Sequence, residues 1–256
     1  VTIAEAVNQI MASVESGSPL RVAFVNADCA NRAVHDPRYR RAVDTADLVL
    51  LDGIGMRIAG WALGRPVRAN VNGTDLFPQL CAALSARWGR LFLLGAAPGV
   101  AERVSAWVAR HFPGVTVVGH QHGFFSEAEA GQVLATIREA RPDVLLVAMG
   151  VPRQDVWLAH NLAACGATVG IGVGGLFDFY SGRIPRAPLW MRRAGLEWVY
   201  RLYQEPRRMW RRYLIGNVVF LARVAGSWWR QSSSIVSQCP RASRVPMAMP
   251  SSSPTE

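Results

Sequence analysis

Six short runs rich in Val, Leu and Ile, separated by stretches of helical periodicity, constrain the fold of this chain more than any other feature. They cover residues 20–25, 47–51, 90–94, 115–118, 143–147 and 168–173. Most are nearly continuous in apolar side chains instead of alternating, the pattern of parallel strands covered on both faces. The stretches 100–112 and 127–140 carry apolar residues at helical spacing. The second opens on Ser126-Glu-Ala-Glu129, the pattern of a capping box. Strand and helix signals alternating in this way predict a Rossmann-like α/β domain over residues 1–188, a mainly parallel sheet with helices on both faces. A chain of 256 residues, half of them apolar, can bury the core that such a domain needs.

Beyond Pro185 the composition changes. Five of the nine tryptophans (Trp190, Trp198, Trp210, Trp228, Trp229) fall there among arginines. Residues 1–182 hold fifteen arginines and fifteen acids, whereas residues 183–230 hold eleven arginines against Glu197 and Glu205. Most of the net charge of +10 therefore sits in one segment. A helix over about 189–204 should stop near Pro206. A second, over about 207–229, carries Trp210, Leu214, Val218, Leu221, Val224 and Trp228 at i, i+3/i+4 spacing. Its apolar run is too short and too polar to span a bilayer. The reading is a basic helical appendage, 189–230, lying on an anionic membrane surface. Residues 231–256, rich in Ser and Pro, read as a disordered tail. The same charge could suit nucleic acid, but its confinement to one apolar-striped, Trp-rich segment favours a lipid interface, with no nucleic-acid partner. The N-terminus lacks the basic start and apolar run of a secretory signal. A homo-oligomer is compatible with all of this.

In a parallel α/β sheet, ligands bind outside the carboxyl ends of the strands. Those positions read Asn26-Ala-Asp28, Asp52-Gly-Ile-Gly55, Gly95-Ala-Ala-Pro-Gly99, Gly150-Val-Pro-Arg-Gln154 and Gly172-Val-Gly174-Gly-Leu-Phe-Asp178. Asp52, ending an apolar strand before two glycines, is placed to take a proton from a sugar hydroxyl. The same position suits a turn or helix-capping aspartate. Asp75, in Asn72-Gly-Thr74-Asp75, reads first as a helix start. The glycine-rich loops lack the Lys and Ser/Thr of a P-loop and the βαβ context of a dinucleotide fingerprint, so neither NAD nor another cofactor is expected. The five histidines and four cysteines show no metal-ligand spacing, and no Asp-x-Asp occurs, so no metal is expected. The charge of a leaving diphosphate would then fall to arginines or helix N-termini.

The ordered series Asp52-Gly-x-Gly55, Gly73-Thr-Asp75-Leu, Leu93-Leu-Gly95, Gly150-x-Pro-x-Gln154, Gly172-Val-Gly-x-x-Phe177-Asp178, Arg186-Ala-Pro188, Leu196-Glu-Trp198-x-x-Arg201-Leu and Glu205-Pro-Arg-Arg208 resembles the WecG/TagA/CpsF glycosyltransferases. The resemblance covers about residues 20–212. It implies a metal-independent, inverting enzyme at the cytoplasmic face of the bacterial inner membrane. Such an enzyme moves a sugar from a UDP-sugar donor to a polyprenyl-pyrophosphate-linked monosaccharide. It implies Asp52 as general base and Asn26, Asn72 and Thr74 beside the acceptor. Gly95, Gly150, Gln154, Gly174 and Asp178 fall to the donor, with Arg207, Arg208, Arg211 and Arg212 of the appendage at its diphosphate.

Two departures carry the expectation about the sugar. Much of the family has Thr-x-Asn after the first strand where this chain has Phe24-Val-Asn26. Many members have Arg-Val-x-Gly where it has Asn70-Val-Asn72-Gly73. Both resemble the exopolysaccharide branch and imply glucose transfer. The alternative is transfer of N-acetylmannosamine, or its uronate, to polyprenyl-pyrophosphate-linked N-acetylglucosamine.

Overall fold

The computed structural model describes residues 1–237. In chain order the elements are α1 (Ile3–Ser16), β1 (Leu20–Val25), α2 (Ala27–His35), α3 (Pro37–Asp44), β2 (Leu48–Leu51), α4 (Ile54–Ala62), α5 (Gly73–Ser85), β3 (Arg90–Gly95), α6 (Val100–His111), β4 (Thr116–Gln121), α7 (Glu127–Ala140), β5 (Val144–Ala148), α8 (Arg153–Cys165), β6 (Val169–Gly172) and α9 (Leu176–Tyr180). The C-terminal part adds α10 (Leu189–Arg193), α11 (Glu197–Gln204), α12 (Pro206–Trp210), a π-helical turn (Arg211–Ile215) and α13 (Gly216–Ser237).

The six strands form one sheet in the order β2-β1-β6-β5-β3-β4, every pair parallel. This is the Rossmann-like α/β fold expected from the six apolar runs. Strand side chains alternate between two buried layers. Leu91 and Leu93 of β3, and Val144, Leu146 and Ala148 of β5, join the core beneath α1, α5 and α6. Phe92, Leu94, Leu145 and Val147 join the core beneath α7 and α8. Both faces are dry, which is why the runs read as continuous. Gly170 on β6 lets α8 approach: a Cβ there would stand 2.7 Å from Leu158 Cδ2. The expected capping box holds α7, with the Ser126 and Glu129 side chains each bonded to the other's backbone N–H.

The appendage departs from the sequence reading in two places. The helix expected over 189–204 is broken at Gly195, whose φ of 72° is left-handed. Leu196 N–H donates to Met191 C=O at 2.8 Å, and Gly195 N–H to Arg192 C=O at 3.1 Å, so α10 closes as a Schellman-type cap built on glycine. Further on, the π-helical turn interrupts what reads in sequence as one α-helix. It shifts the following residues around the helix axis. The last helix continues to Ser237, past its expected end, and residues 238–256 of the expected tail lie outside the described residues.

The appendage packs back on the domain. Asn31 Nδ2 on α2 donates to Gly216 C=O at 2.7 Å, and Arg223 Nη1 donates to Asn31 Oδ1 at 3.1 Å. Met209 and Phe220 are buried, and Phe220 meets Gly55 at the start of α4. The apolar stripe faces elsewhere: Trp210, Leu214, Val218, Leu221 and Trp228 are exposed.

Candidate active site

A cavity of about 380 Å³ opens at the carboxyl ends of β1 and β2, walled on its far side by the appendage. That volume is within the range of small-ligand sites. Asn26, Asp28, Asp52, Asn70, Asn72, Thr74 and Asp75 come from the sheet side. Arg192, Glu197, Trp198, Arg201, Arg212, Tyr213 and Phe220 come from the appendage. The domain supplies carboxylates and amides, and the appendage supplies guanidiniums, aromatic rings and the Glu197 carboxylate.

Asp52 is fixed by its backbone. Its N–H donates to Val25 C=O at 2.9 Å, extending the β1–β2 pairing by one residue. The chain then turns through Gly53, at φ 93°, whose N–H donates to Asn70 Oδ1 at 2.6 Å. Helix α4 starts at Gly53 without a side-chain cap, so Asp52 does not serve as one. Its half-buried carboxyl lines the cavity. Burial above all, then the nearby Glu197 carboxylate, pushes it up to about 6; Arg212 and Arg201 pull the other way, and Asp75 adds a smaller push. A carboxylate raised that far is basic enough to accept a proton and is still largely ionised at neutral pH.

The other sheet-side residues are held by the backbone they serve. Asn26 caps α2, its Oδ1 accepting from Cys29 N–H at 3.1 Å. Asn72 caps α5, accepting from Asp75 N–H at 2.7 Å while its Nδ2 donates to Asp75 Oδ2 at 2.7 Å. The Thr74 carbonyl accepts from the Tyr180 hydroxyl at 2.7 Å. Asp75 is a helix-start residue and an ionic one as well. Arg186 Nη2 donates to its Oδ1 at 2.5 Å, and Arg192 Nη1 lies 3.6 Å away.

The donor-side residues expected from sequence stand beside this cavity and do not line it. Gly95, Gly150, Gln154, Gly174 and Asp178 occupy the carboxyl ends of β3, β5 and β6 and the short helix that follows. Gln154 is buried and ties two of these loops, its Oε1 accepting from Gly150 N–H at 3.1 Å and Gly174 N–H at 2.9 Å. Asp178 is buried and ion-paired with Arg183 at 3.1 Å. Beneath the loops, burial pushes the Asp155 carboxyl up to about 7.

Of the arginines expected at the diphosphate, Arg212 alone lines the cavity, joined there by Arg192 and Arg201. Arg207 is exposed, Arg208 lies on α12, and Arg211 stacks over Trp210 with its guanidinium carbon 5.2 Å from the ring centroid. Arg212 enters the cavity and lies 3.5 Å from Asp28 Oδ2. Arg201 enters it too, its guanidinium 5.3 Å from the centre of the Phe179 ring. Sequence reasoning missed Arg192, Glu197, Trp198 and Arg201 as lining residues. The i, i+4 spacing of Glu197 and Arg201 was the available signal, since it puts both on one helix face. Among the described residues, no group of three His, Cys, Asp or Glu side chains is arranged to hold a metal ion.

A family model for the WecG/TagA/CpsF glycosyl transferases matches residues 1–234. A Bacillus spizizenii protein is 34% identical over 193 residues, covering 75% of this chain and 74% of the relative. It is named N-acetylglucosaminyldiphosphoundecaprenol N-acetyl-beta-D-mannosaminyltransferase. The Bacillus subtilis protein of that name is 32% identical with the same coverage. A Staphylococcus aureus protein of that name is 27% identical over 211 residues, 82% of each chain. These names overturn the expectation of glucose transfer in exopolysaccharide synthesis. The two departures behind that expectation have a local cause: Phe24 packs in the core and Asn70 holds the turn after Asp52. Residues engaged in this way report on the fold and leave the sugar undetermined. With a match spanning most of its length and a relative at 34% identity, this chain belongs to the WecG/TagA/CpsF family of glycosyltransferases.

Proposed function

We propose that the protein transfers N-acetylmannosamine, or its uronate, from a UDP-sugar to N-acetylglucosamine carried on a polyprenyl diphosphate. The observation that carries the chemistry is Asp52: a raised carboxyl at a strand end, facing guanidiniums across one cavity. The relatives' printed names carry the choice of sugar. In the reaction Asp52 accepts the proton of the acceptor hydroxyl as that oxygen forms its bond to the anomeric carbon. The bond from that carbon to the diphosphate oxygen breaks on the opposite face, and UDP leaves with the bonding pair. One displacement at an α-linked donor gives a β-linked product. General-base assistance of this kind is worth about 10²–10⁴ in rate. Arg192, Arg201 and Arg212 are assigned to the diphosphate charge, in place of Arg207, Arg208 and Arg211. The nucleotide is assigned to the glycine loops after β3, β5 and β6, where the lack of side chains suits close approach of a ligand.

The acceptor's lipid places the reaction at a membrane surface, and the cytoplasmic face is where a UDP-sugar is supplied. No helix among the described residues is long and apolar enough to cross a membrane. The appendage instead exposes Leu214, Ile215, Val218, Trp228 and Trp229, next to Ile58 and Trp61 of α4. Such a surface, with arginines at its edge, suits insertion into the plane of an anionic interface. Full-length protein incubated in EDTA with UDP-N-acetylmannosamine and a short-chain polyprenyl-diphosphate N-acetylglucosamine should form the lipid-linked disaccharide. Faster transfer from UDP-glucose would overturn the choice of sugar. Activity lost in EDTA and restored by Mg²⁺ would overturn the metal-free chemistry.

A further inference from the structure

Glu197 is a carboxylate of the cavity that the displacement just described does not use. It stands at the first position of α11, about one-third exposed, and enters the cavity from the appendage. Its Oε1 lies 3.6 Å from Arg186 Nε. The other end of the same guanidinium donates to Asp75 Oδ1 at 2.5 Å, and Asp75 is tied through Asn72 to the start of α5. One arginine thus links the domain to the appendage and fixes where Glu197 stands. Opposite it, the Asp52 carboxyl makes no hydrogen bond or ion pair with any described residue, so its proton affinity is set by burial and by charges across the cavity.

We propose that Glu197 is a positioning residue for the transfer reaction: held by Arg186 on the docked appendage, it lines the same cavity as Asp52 and sets the charge in which Asp52 works. Base strength then depends on the appendage being in place, which couples closure of the cavity to proton removal. This role rests on Asp52 being the general base.

The charges around Asp52 support the assignment. Asp75 is ion-paired with Arg186 and Arg192, and Asp28 with Arg32 and Arg212; Asp75 keeps only a smaller push on Asp52. Arg201 and Arg212, from α11 and the π-helical turn, act to lower the Asp52 pKa. Glu197 is the largest charge effect in the opposite direction, second only to burial. A like charge at close range disfavours ionisation of its neighbour and so raises its basicity.

The test uses the full chain and the variant Glu197→Gln, which keeps the side chain's shape and an oxygen for Arg186. The Asp52 carboxyl carbon is followed by NMR titration of protein labelled at aspartate, with its signal assigned by loss in Asp52→Asn. The Asp52 midpoint should fall by about half a pH unit or more in Glu197→Gln. The acid limb of kcat/KM for sugar transfer should move down with it, and the plateau rate should drop because the base is weaker. A residue that only braces the appendage would lower the plateau and leave both midpoints in place. An unmoved Asp52 midpoint, in a wild type that transfers sugar, overturns the role of Glu197 alone. A wild type that transfers no sugar overturns the reading of the reaction.

Discussion

Arg223 on α13 donates from Nη1 to the Asn31 side-chain oxygen on α2 at 3.1 Å, joining residues 192 positions apart. The same asparagine donates to Gly216 C=O at 2.7 Å, and Arg223 Nη2 reaches His35 Nε2 at 2.7 Å. These contacts, with buried Phe220, hold the wall of the cavity on the domain. Hydrogen bonds to a charged group are worth about 1.5–3 kcal/mol where buried, and less at a site partly open to water such as this one. Asn31→Ala should therefore loosen the appendage by about 1 kcal/mol. Limited trypsin digestion should cut the arginines of residues 201–223 several times faster than in wild type. Equal cutting rates would mean that the appendage is held by other contacts.

Gly95 ends β3 at φ 130°, and a Cβ there would lie 2.5 Å from the Ala148 backbone of β5. Nothing flexible can move aside, and the backbone conformation itself is strained for any other residue. Gly95→Ala should cost about 2 kcal/mol or more, seen as a lower midpoint in urea unfolding. An unchanged midpoint would show that β3 and β5 can part without loss.

Asp155 offers a pH test independent of activity. Its carboxyl is buried, one oxygen has no hydrogen-bond partner, and its pKa stands at about 7. In the unfolded chain an aspartate ionises near 3.9. Between about pH 4 and 7 the folded protein therefore keeps a proton that the unfolded chain has released. Stability from this group is fully present below that window and falls as pH rises through it. Asp155→Asn carries no such charge, so its Tm relative to wild type should rise by a few degrees between pH 5 and pH 8. A difference in Tm that stays constant from pH 5 to 8 would contradict the burial argument.

The six strands were legible because burial on both faces leaves continuous apolar runs; the run endings pointed to Asn26 and Asp52, and the family resemblance added Asn72 and Thr74, which the fold gathers at one cavity. The appendage was less legible for two local reasons. Glycine tolerates the middle of a helical pattern, so the cap at Gly195 left no clear mark in the periodicity. A π-helical turn changes which residues share a face while leaving composition untouched, so sequence did not separate Arg212, which lines the cavity, from Arg207, Arg208 and Arg211, which do not. The sugar was misread because Phe24 and Asn70, which look like changed recognition residues in sequence, pack in the core and tie a turn in the structure. A turn tie and hydroxyl recognition use the same amide chemistry, and sequence alone does not separate them.

The exposed aromatic surface of α13 makes its own prediction. Trp228 and Trp229 are about half and two-thirds exposed. Replacing both with Ser should lower sedimentation with vesicles containing anionic lipid by about tenfold or more, since each large apolar side chain gains about 1.5–3 kcal/mol on leaving water. The same vesicles in high salt should bind wild type less, because attraction to the arginines is screened. Undiminished binding of the double variant would place the membrane contact elsewhere on the protein.

The central claim is that Asp52 takes the acceptor proton, and single-turnover transfer by Asp52→Asn measures it most directly. The amide keeps the size and position of the carboxyl and cannot accept the proton. The rate from UDP-N-acetylmannosamine to the lipid-linked N-acetylglucosamine should fall by about a hundredfold or more, with donor affinity measured by equilibrium binding changed little. A variant that transfers sugar at the wild-type rate would contradict the account.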